Sequence, residues 1–290
     1  MPVRWTILAS GSSGNASLLD IDGSGLLLDI GLGPRQLDGR LQQIGQTWNS
    51  IRAVLLTHTH SDHWNARSLA RLVESQVPFF CHSDHLRSLQ LECPDFQSLQ
   101  FAGLVKIYSP GHEFTPFEGV FCRALALKHD GGATFGFRIE GKTSSETSQW
   151  AVGYAADLGS WDSSLPRELA DVDVLALEFN HDVELQLASG RVRWLINRVL
   201  GEFGHLSNTQ AAKLLEACAG HSTHGRLRHV IQLHLSRDCN RPDLAVAAAH
   251  DVIARLKLDA QLHTAAQDIA GPTIALGDDI TCNELALGGK

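Results

Sequence analysis

Four metal-ligating side chains fall within six residues of this sequence, directly after an apolar run that ends at Leu56. They are His58, His60, Asp62 and His63. If the apolar run is a strand, His58 and His60 share one of its faces, and the two later residues turn into a loop or a helix start. Imidazole and carboxylate groups bind zinc and similar divalent ions, and four of them this close favour two ions side by side. The alternative is a histidine-rich surface loop, since the chain contains 15 histidines.

The elements that must position this cluster are alternating strands and helices with no low-complexity linker between them. Apolar runs predict strands at Trp5–Ala9, Ser17–Ile21, Leu26–Ile30, Ala53–Thr57, Val77–Cys81, Leu104–Tyr108, Val120–Leu127, Thr134–Ile139, Trp150–Ala155, Val172–Phe179 and His229–Leu235. Periodic apolar positions predict helices at Pro34–Ile44, Ala66–Glu74, Arg191–Leu200, Thr209–Ala219 and Asp243–Leu256, and one capped by Ser83 or Asp84 that ends at Leu91. The polar segment 141–149 predicts the tip of a hairpin. This order predicts one α/β domain in which two packed sheets carry outer helices.

The composition favours a globular protein of a reducing compartment. Hydrophobic residues make up 43% of the 290 residues, enough for a sizeable core, and no apolar stretch is long enough to span a membrane. The chain begins with no signal-peptide pattern, and its six cysteines form no C-x-x-C pair. We therefore expect reduced, mostly buried thiols, a cytoplasmic location and no membrane partner. The oligomeric state is left open.

The distribution of charge leaves two interpretations. A net charge of −8 argues against a nucleic-acid partner, but residues 191–241 contain eight basic residues and only three acidic ones. A basic face on an acidic protein can bind a phosphate backbone. An ordinary solvated surface explains the same count equally well.

The ligand cluster and several later residues resemble the metallo-β-lactamase superfamily. The resemblance implies an αβ/βα sandwich, two mixed β-sheets with outer helices around a dinuclear metal site, as a single domain over residues 1–290. It also implies that Asp29 braces the metal loop. The further ligands that it implies are His129, Asp157 and His234, each at the end of a predicted strand. Residues at strand ends can point into one crevice at the edge of the sheets.

Two features are similar to the phosphodiesterase and nuclease branch of that superfamily. The run G-H-L-S-N at 204–208 resembles the histidine motif of tRNase Z-type nucleases, and Glu178 matches the glutamate that orients this histidine, here His205. With T-H-T-H-S-D-H, the set looks most like the YycJ/WalJ-type subgroup, whose members are associated with 5′→3′ exonuclease activity on DNA. The chain departs from that pattern at Phe179, where a small polar residue is usual, and at 239–240, where Cys-Asn replaces paired asparagines. Only 26 residues separate Glu178 from His205, too few for an inserted clamp domain.

The resemblance implies a role for each residue. Two divalent metal ions, zinc or manganese with iron as a further option, would be held by His58, His60 and His129 on one side, by Asp62, His63 and His234 on the other, and by Asp157 between them. A water between the ions would lose its proton near neutral pH and attack phosphorus, with Asp62 among the catalytic groups. His205, oriented by Glu178, would donate a proton to the leaving oxygen or hydrogen-bond the pentavalent transition state. Predicted substrate contacts are Asn180, His181, Ser207 and Asn208.

Other histidines compete for these roles. His112 could replace His129 as the third ligand, although His129 is favoured because it stands between two well-defined strands. His82 and His85 repeat part of the ligand pattern, and we expect them to be capping or surface groups. His221 follows a predicted helix, whereas the nuclease histidine precedes one.

The residues leave several functions open. A DNA exonuclease is favoured, and a small-molecule phosphodiesterase acting on cyclic phosphates or nucleotides would use the same ligands. A thioester or lactam hydrolase would give His205 and Glu178 no evident task, and a non-catalytic scaffold would leave the clustered ligands idle. The loop Gly11–Asn15 could offer backbone N–H groups to a phosphate, or it could be no more than a tight turn between strands.

Overall fold

Two seven-stranded sheets pack face to face, and helices cover both outer surfaces. The computed structural model that reveals this describes residues 2–142 and 148–277. The predicted fold class, an α/β sandwich of two mixed sheets with outer helices, is confirmed. None of the helices in these ranges is both long enough and apolar enough to cross a membrane.

The first sheet brings two functional loops to one edge. In spatial order it consists of β14 (Ile274–Leu276), β1 (Val3–Ala9), β2 (Ala16–Ile21), β3 (Ser24–Leu28), β4 (Ile51–Leu55), β5 (Phe79–His82) and β6 (Val105–Tyr108). The pairs from β14 to β3 are antiparallel, and those from β3 to β6 are parallel. Because β3 and β4 are parallel, Asp29 after β3 and the histidine loop after β4 emerge at the same edge.

The second sheet repeats this arrangement. In spatial order it consists of β13 (Gln261–Thr264), β12 (His229–Leu233), β11 (Val174–Glu178), β10 (Ser148–Ala155), β9 (Thr134–Lys142), β8 (Phe121–Leu127) and β7 (Glu113–Phe114). The strands from β10 to β13 are parallel, so their carboxyl ends share an edge. Asp157, Glu178 and His234 lie at the ends of β10, β11 and β12.

The helices lie outside the sheets. The first sheet is covered by α1 (Pro34–Gln43), α2 (Ala66–Ser75), α3 (His85–Glu92) and α4 (Phe96–Phe101). The chain then forms α5 (Leu165–Glu168), α6 (Val183–Ala188), α7 (Arg193–Leu200), α8 (Asn208–His221) and α9 (Pro242–Leu256). Of these, α5, α8 and α9 pack on the second sheet, whereas α6 and α7 connect β11 to α8.

The central core lies between the sheets and holds their edges in register. Trp5 on β1, Phe137 on β9 and Tyr154 on β10 are buried in it, and the Trp5 and Tyr154 ring centroids are 6.3 Å apart across the interface. Burial of each large apolar side chain contributes roughly 1.5–3 kcal/mol. This interior fixes the position of the strand ends on which the functional side chains sit.

The predicted strands and helices match the observed ones to within a few residues. Seven short elements of the described residues were not predicted: α4, α5, α6, β7, β13, β14 and a 3-10 helix at Trp48–Ser50. Asp84 is the N-cap residue of α3, but its side chain makes no capping hydrogen bond. Of the predicted hairpin tip at 141–149, residues 143–147 lie outside the described residues. The segment between Glu178 and His205 forms only α6 and α7, and a single domain over 1–290 stays a prediction. The described cysteines are free and buried, as expected, while Cys282 lies outside the described ranges.

Candidate metal centre

The loop after β4 is anchored to Asp29, which follows β3, and to Asn15, which precedes β2. The Asp29 carboxylate accepts hydrogen bonds from the Thr57 backbone N–H at 2.9 Å and from its hydroxyl at 3.0 Å. The same carboxylate lies 2.7 Å from Nδ1 of His63. The backbone N–H of Asn15 donates to the carbonyl of Asp62 at 2.7 Å. Asp29 has a φ of 58°, a left-handed conformation that Asp tolerates better than most residues.

Three imidazoles form the first half of the cluster. The ligand nitrogens of His58, His60 and His129 all lie within 4.8 Å of one another. His129 Nε2 is 3.3 Å from His60 Nδ1, while its Nδ1 lies 2.9 Å from the Gly204 carbonyl. His58 Nε2 is buried and has no hydrogen-bond partner among the described residues. Burial, and then the neighbouring His63 imidazole, lower the pKa of His58 well below its usual value, so it is neutral as a metal ligand must be.

Asp157 is at the centre of the second half. Its Oδ2 lies 3.0 Å from His63 Nε2, and its Oδ1 lies 2.6 Å from His234 Nδ1. Asp62 Oδ2 is 3.6 Å from Nε2 of both histidines. Burial alone would raise the pKa of Asp157, but His234 and His63 hold it well below the usual value.

These short distances are not made by well-directed hydrogen bonds. Asp157 Oδ2 and His234 Nδ1 are buried, and neither has a hydrogen-bond partner of acceptable geometry within residues 2–142 and 148–277. Buried polar atoms without partners are costly. Buried imidazole and carboxylate atoms without such partners, grouped this closely, fit a divalent cation among them.

The two halves of the cluster are contiguous. His58 groups with His60 and His129, and it also groups with His63 and Asp157. The donor set is made of imidazole nitrogens and carboxylate oxygens, which suit zinc, manganese and iron. The residues present therefore fit a pair of divalent ions.

A buried carboxylate orients the remaining histidine. Oε1 of Glu178 lies 2.7 Å from Nδ1 of His205, and Oε2 accepts hydrogen bonds from the backbone N–H groups of Leu158 at 3.0 Å and Leu206 at 3.1 Å. Burial alone would lower the pKa of His205, but Glu178 raises it above the usual value. Because Nδ1 is engaged by Glu178, Nε2 is the ring atom left for a substrate.

A pocket of about 230 Å³ opens onto this cluster. The predicted site residues on its wall are His60, Asp62, Asp157, Asn180, His205 and His234. The others are Ser12, Arg191, Leu195, Arg198, Val199 and Ser236, none of which was predicted individually, although Ser12 lies in the loop Gly11–Asn15 and the two arginines in the basic stretch 191–241. One wall of the pocket is therefore α7 and the residues just before it.

The four predicted substrate contacts separate into two groups. Asn180 lines the pocket. Ser207 caps α8 with its hydroxyl, and the Asn208 amide is hydrogen-bonded to Asn240. His181 is fully buried, and neither of its ring nitrogens has a partner in the described part of the chain. These three residues are not among those that line the pocket, and their contact with substrate stays a prediction.

The competing histidines lie elsewhere. His112 is exposed on a turn and is not part of the cluster that contains His129. The expectation for His85 was wrong, because its side chain is buried and its Nε2 lies 2.7 Å from the Ala133 carbonyl. His82 is half-buried, and His221 is the exposed last residue of α8.

The basic stretch 191–241 contributes to the pocket at two points. Arg191 and Arg198 line it. Both are also ion-paired, Arg191 with Asp238 at 2.9 Å and Arg198 with Asp130. The stretch thus supplies two cations to the pocket wall. Three of its other arginines are ion-paired, Arg226 with Asp173, Arg237 with Asp268 and Arg241 with Asp243.

The loop Gly11–Asn15 is a tight turn between β1 and β2. The backbone N–H of Gly11 donates to Asn15 Oδ1 at 2.8 Å, and that of Gly14 donates to the Gly11 carbonyl at 2.9 Å. These N–H groups are used within the turn, although Ser12 reaches the pocket.

Comparison with known proteins agrees with the observed fold. The chain matches the model of the Beta-lactamase superfamily domain over residues 26–225. It is similar to Exodeoxyribonuclease WalJ of Streptococcus pneumoniae serotype 2, with 27% identity over 275 residues, 93% of this chain and 96% of that protein. It is also similar to Exodeoxyribonuclease YycJ of Bacillus anthracis, with 26% identity over 255 residues, 87% of this chain and 90% of that protein. Among solved structures, the metallo-beta-lactamase fold protein YhfI from Bacillus subtilis aligns with a TM-score of 0.64 and 17% identity, covering 95% of this chain and 100% of that one. At this identity the structural likeness supports the fold alone.

Proposed function

Because this chain belongs to the β-lactamase superfamily, we propose that it is a metal-dependent phosphodiester hydrolase that degrades DNA from the 5′ end toward the 3′ end. The observation that carries the proposal is the Glu178–His205 pair on the same pocket as the ligand cluster. A water nucleophile needs only the metals, whereas a leaving alkoxide also needs a proton donor. The names of the two exodeoxyribonuclease relatives support DNA as the substrate.

Two ions would share seven side chains. We assign one ion to His58, His60 and His129, the other to Asp62, His63 and His234, and a bridging position to Asp157. When bound, such cations would lower the pKa of the attacking water and neutralise the phosphoryl oxygens.

The protein's own groups would complete the reaction. Asp62 lines the pocket and would accept a hydrogen bond from the attacking water. His205 would give the proton on its Nε2 to the leaving oxygen, because the Glu178 carboxylate stabilises its protonated form. Arg191 and Arg198 would contact phosphate oxygens from the α7 wall.

A panel of substrates tests this proposal. Wild-type protein is incubated with manganese or zinc and with end-labelled single-stranded DNA, duplex DNA, RNA and bis(p-nitrophenyl) phosphate. We expect a 5′ label to be released at once as a mononucleotide, while a 3′-labelled strand shortens gradually. His205→Ala should abolish most of this activity, and His112→Ala, an exposed histidine outside the cluster, should not.

The same panel separates the alternative functions. Cleavage of the chromogenic ester alone would indicate a small-molecule phosphodiesterase, whose binding should change little with salt, whereas binding to DNA should weaken steeply. A thioester or lactam hydrolase would keep its activity in His205→Ala and Glu178→Gln.

A further inference from the structure

Exposed apolar side chains concentrate beside the pocket. Among the described residues, five of the eleven large hydrophobic side chains that are exposed lie within residues 183–203. The largest are Trp194, which is 66% exposed, and Phe203, which is 53% exposed. The other six are distributed along the rest of the chain, and Phe101 on α4 is one of them. A cluster of this kind indicates a binding surface.

Helix geometry and hydrogen bonds place these two aromatic residues next to the cationic wall. Trp194 precedes Arg198 by four residues on α7, so the two side chains are neighbours on one face. Arg198 pairs with the Asp130 carboxylate through Nη2 at 2.9 Å. The Asp130 backbone N–H donates to the Phe203 carbonyl at 2.9 Å. Asp130 in turn directly follows His129, so this surface continues to the ligand cluster.

We propose that Trp194 and Phe203 form a stacking platform for the bases of a single-stranded nucleic-acid end. The strand would cross α7 into the pocket, with its phosphates on Arg191 and Arg198. This inference rests on the function proposed above and names its substrate as unpaired bases. Aromatic side chains stack on any base, whereas bases inside a duplex have no free face, so the platform favours single strands and overhangs over blunt ends.

The charge pattern favours a nucleic acid over a protein partner. Arg191, Val192, Arg193 and Trp194 alternate cationic and apolar side chains along the surface. Trp, Phe and Arg are also enriched at protein–protein interfaces, but here Arg191 and Arg198 line a pocket that opens onto the ligand cluster. A groove with cations for phosphates and rings for bases instead has the composition of a single-strand binding surface.

Binding of a cleavage-resistant oligonucleotide tests the platform. Wild-type holoenzyme is titrated against a fluorescein-labelled, phosphorothioate-linked oligothymidylate of twelve nucleotides, and anisotropy gives Kd. Trp194→Ala and Phe203→Ala should each raise Kd about 5- to 100-fold, and Trp194→Phe should restore most of the affinity. Phe101→Ala is the matched control, since Phe101 is 90% exposed on the far helix α4, and it should leave Kd unchanged.

An abasic oligonucleotide distinguishes stacking from other effects. If the rings contact bases, wild type and Trp194→Ala should bind an abasic strand of the same length equally. The platform would be refuted if Trp194→Ala lost affinity equally for the normal and the abasic strand. It would also be refuted if the Kd of Trp194→Ala for the normal strand lay within twofold of that of the Phe101→Ala control. A wild-type dimer that becomes monomeric in Trp194→Ala, with unchanged Kd for DNA, would assign the surface to a second copy of the chain. Failure of the wild type to hydrolyse DNA would instead overturn the proposed function, because the binding assay needs no turnover.

Discussion

The carboxylate of Asp29 offers the sharpest test of how the site is assembled. It accepts from the Thr57 N–H on one oxygen and faces His63 Nδ1 at 2.7 Å on the other. A proton on Nδ1 leaves the Nε2 lone pair of His63 for a metal, 3.0 Å from Asp157. In Asp29→Asn, an amide that keeps its oxygen on Thr57 must turn its NH₂ toward His63. The NH₂ group and the Nδ1–H of His63 would then be two donors facing each other. The repulsion ends only if the His63 proton moves from Nδ1 to Nε2, and Nε2 then has no lone pair for a metal.

The expected loss of metal affinity in Asp29→Asn follows from the contacts that the substitution changes. Loss of such an outer carboxylate typically weakens metal affinity about 10- to 100-fold, or about 1.4–2.7 kcal/mol. The opposite orientation of the amide would set its NH₂ against the buried Thr57 N–H, at a cost of about 1–3 kcal/mol. Backbone strain does not enter, because Asn tolerates the left-handed φ of 58° as Asp does.

Competition with a chromophoric zinc chelator measures this affinity directly. The matched control is Asp20→Asn, because Asp20 is also a buried carboxylate that accepts from Gly23 N–H at 2.9 Å and Gln46 Nε2 at 2.8 Å, but it lies on β2 away from the cluster. We expect the control to bind metal like the wild type. A folded Asp29→Asn protein whose zinc affinity stays within threefold of the wild type would refute the proposed control of the His63 tautomer.

Three further predictions concern other parts of the structure. Glu178→Gln should lower kcat for phosphodiester hydrolysis about 10- to 1000-fold, because His205 loses its charged partner, while metal content measured by mass spectrometry stays within twofold. Burial lowers the pKa of His85 to about 4, from an ordinary value of about 6.5, so its contribution to stability is fully present above pH 6.5 and is lost as the pH falls toward 4. Between pH 7 and pH 5 the free energy of unfolding should fall by about 2 kcal/mol because of this residue. Urea unfolding over this range should show that His85→Gln lacks this part of the pH dependence. Gly131→Ala would put a Cβ 2.7 Å from an imidazole carbon of the cluster and should weaken metal binding at least tenfold, whereas Gly39→Ala, with open space around it, should not; equal zinc affinities would contradict the packing argument.

Much of this architecture could be predicted because the central strands are buried on both faces. A strand such as Val174–Glu178 appears in the sequence as a continuous apolar run, so its end, and the side chain placed there, could be located closely. The strands β13 and β14 have no such run. They are four and three residues long at sheet edges, and their pairing depends on neighbours distant in sequence. The side chains of β13 are polar or at least partly exposed, whereas β14 is the apolar triplet Ile274–Leu276, which is too short to be recognised as a strand.

Which residues of α7 line the pocket could not be predicted from the sequence, for a different reason. The periodicity of 191–200 predicts a helix, and α7 is there. The pattern does not say that Arg198 rather than Trp194 lines the pocket, since both lie on the polar side of that helix. Only the docking of α7 against the loop that carries Asp130 decides it.

Backbone conformation explains why strand ends could carry ligands at all. Asp29, Asp157 and His234 have φ values of 58°, 61° and 55°, directly after or near the ends of three strands. Side chains in a continuing strand would alternate between the two faces of the sheet. A left-handed residue breaks that alternation and turns its side chain into the crevice at the edge, at a cost of roughly 1–2 kcal/mol for a residue other than glycine. Glycine would relieve the strain at each position but would remove a ligand or its support. At these three positions stability and metal binding therefore favour different residues, and the presence of Asp and His there is explained by the site.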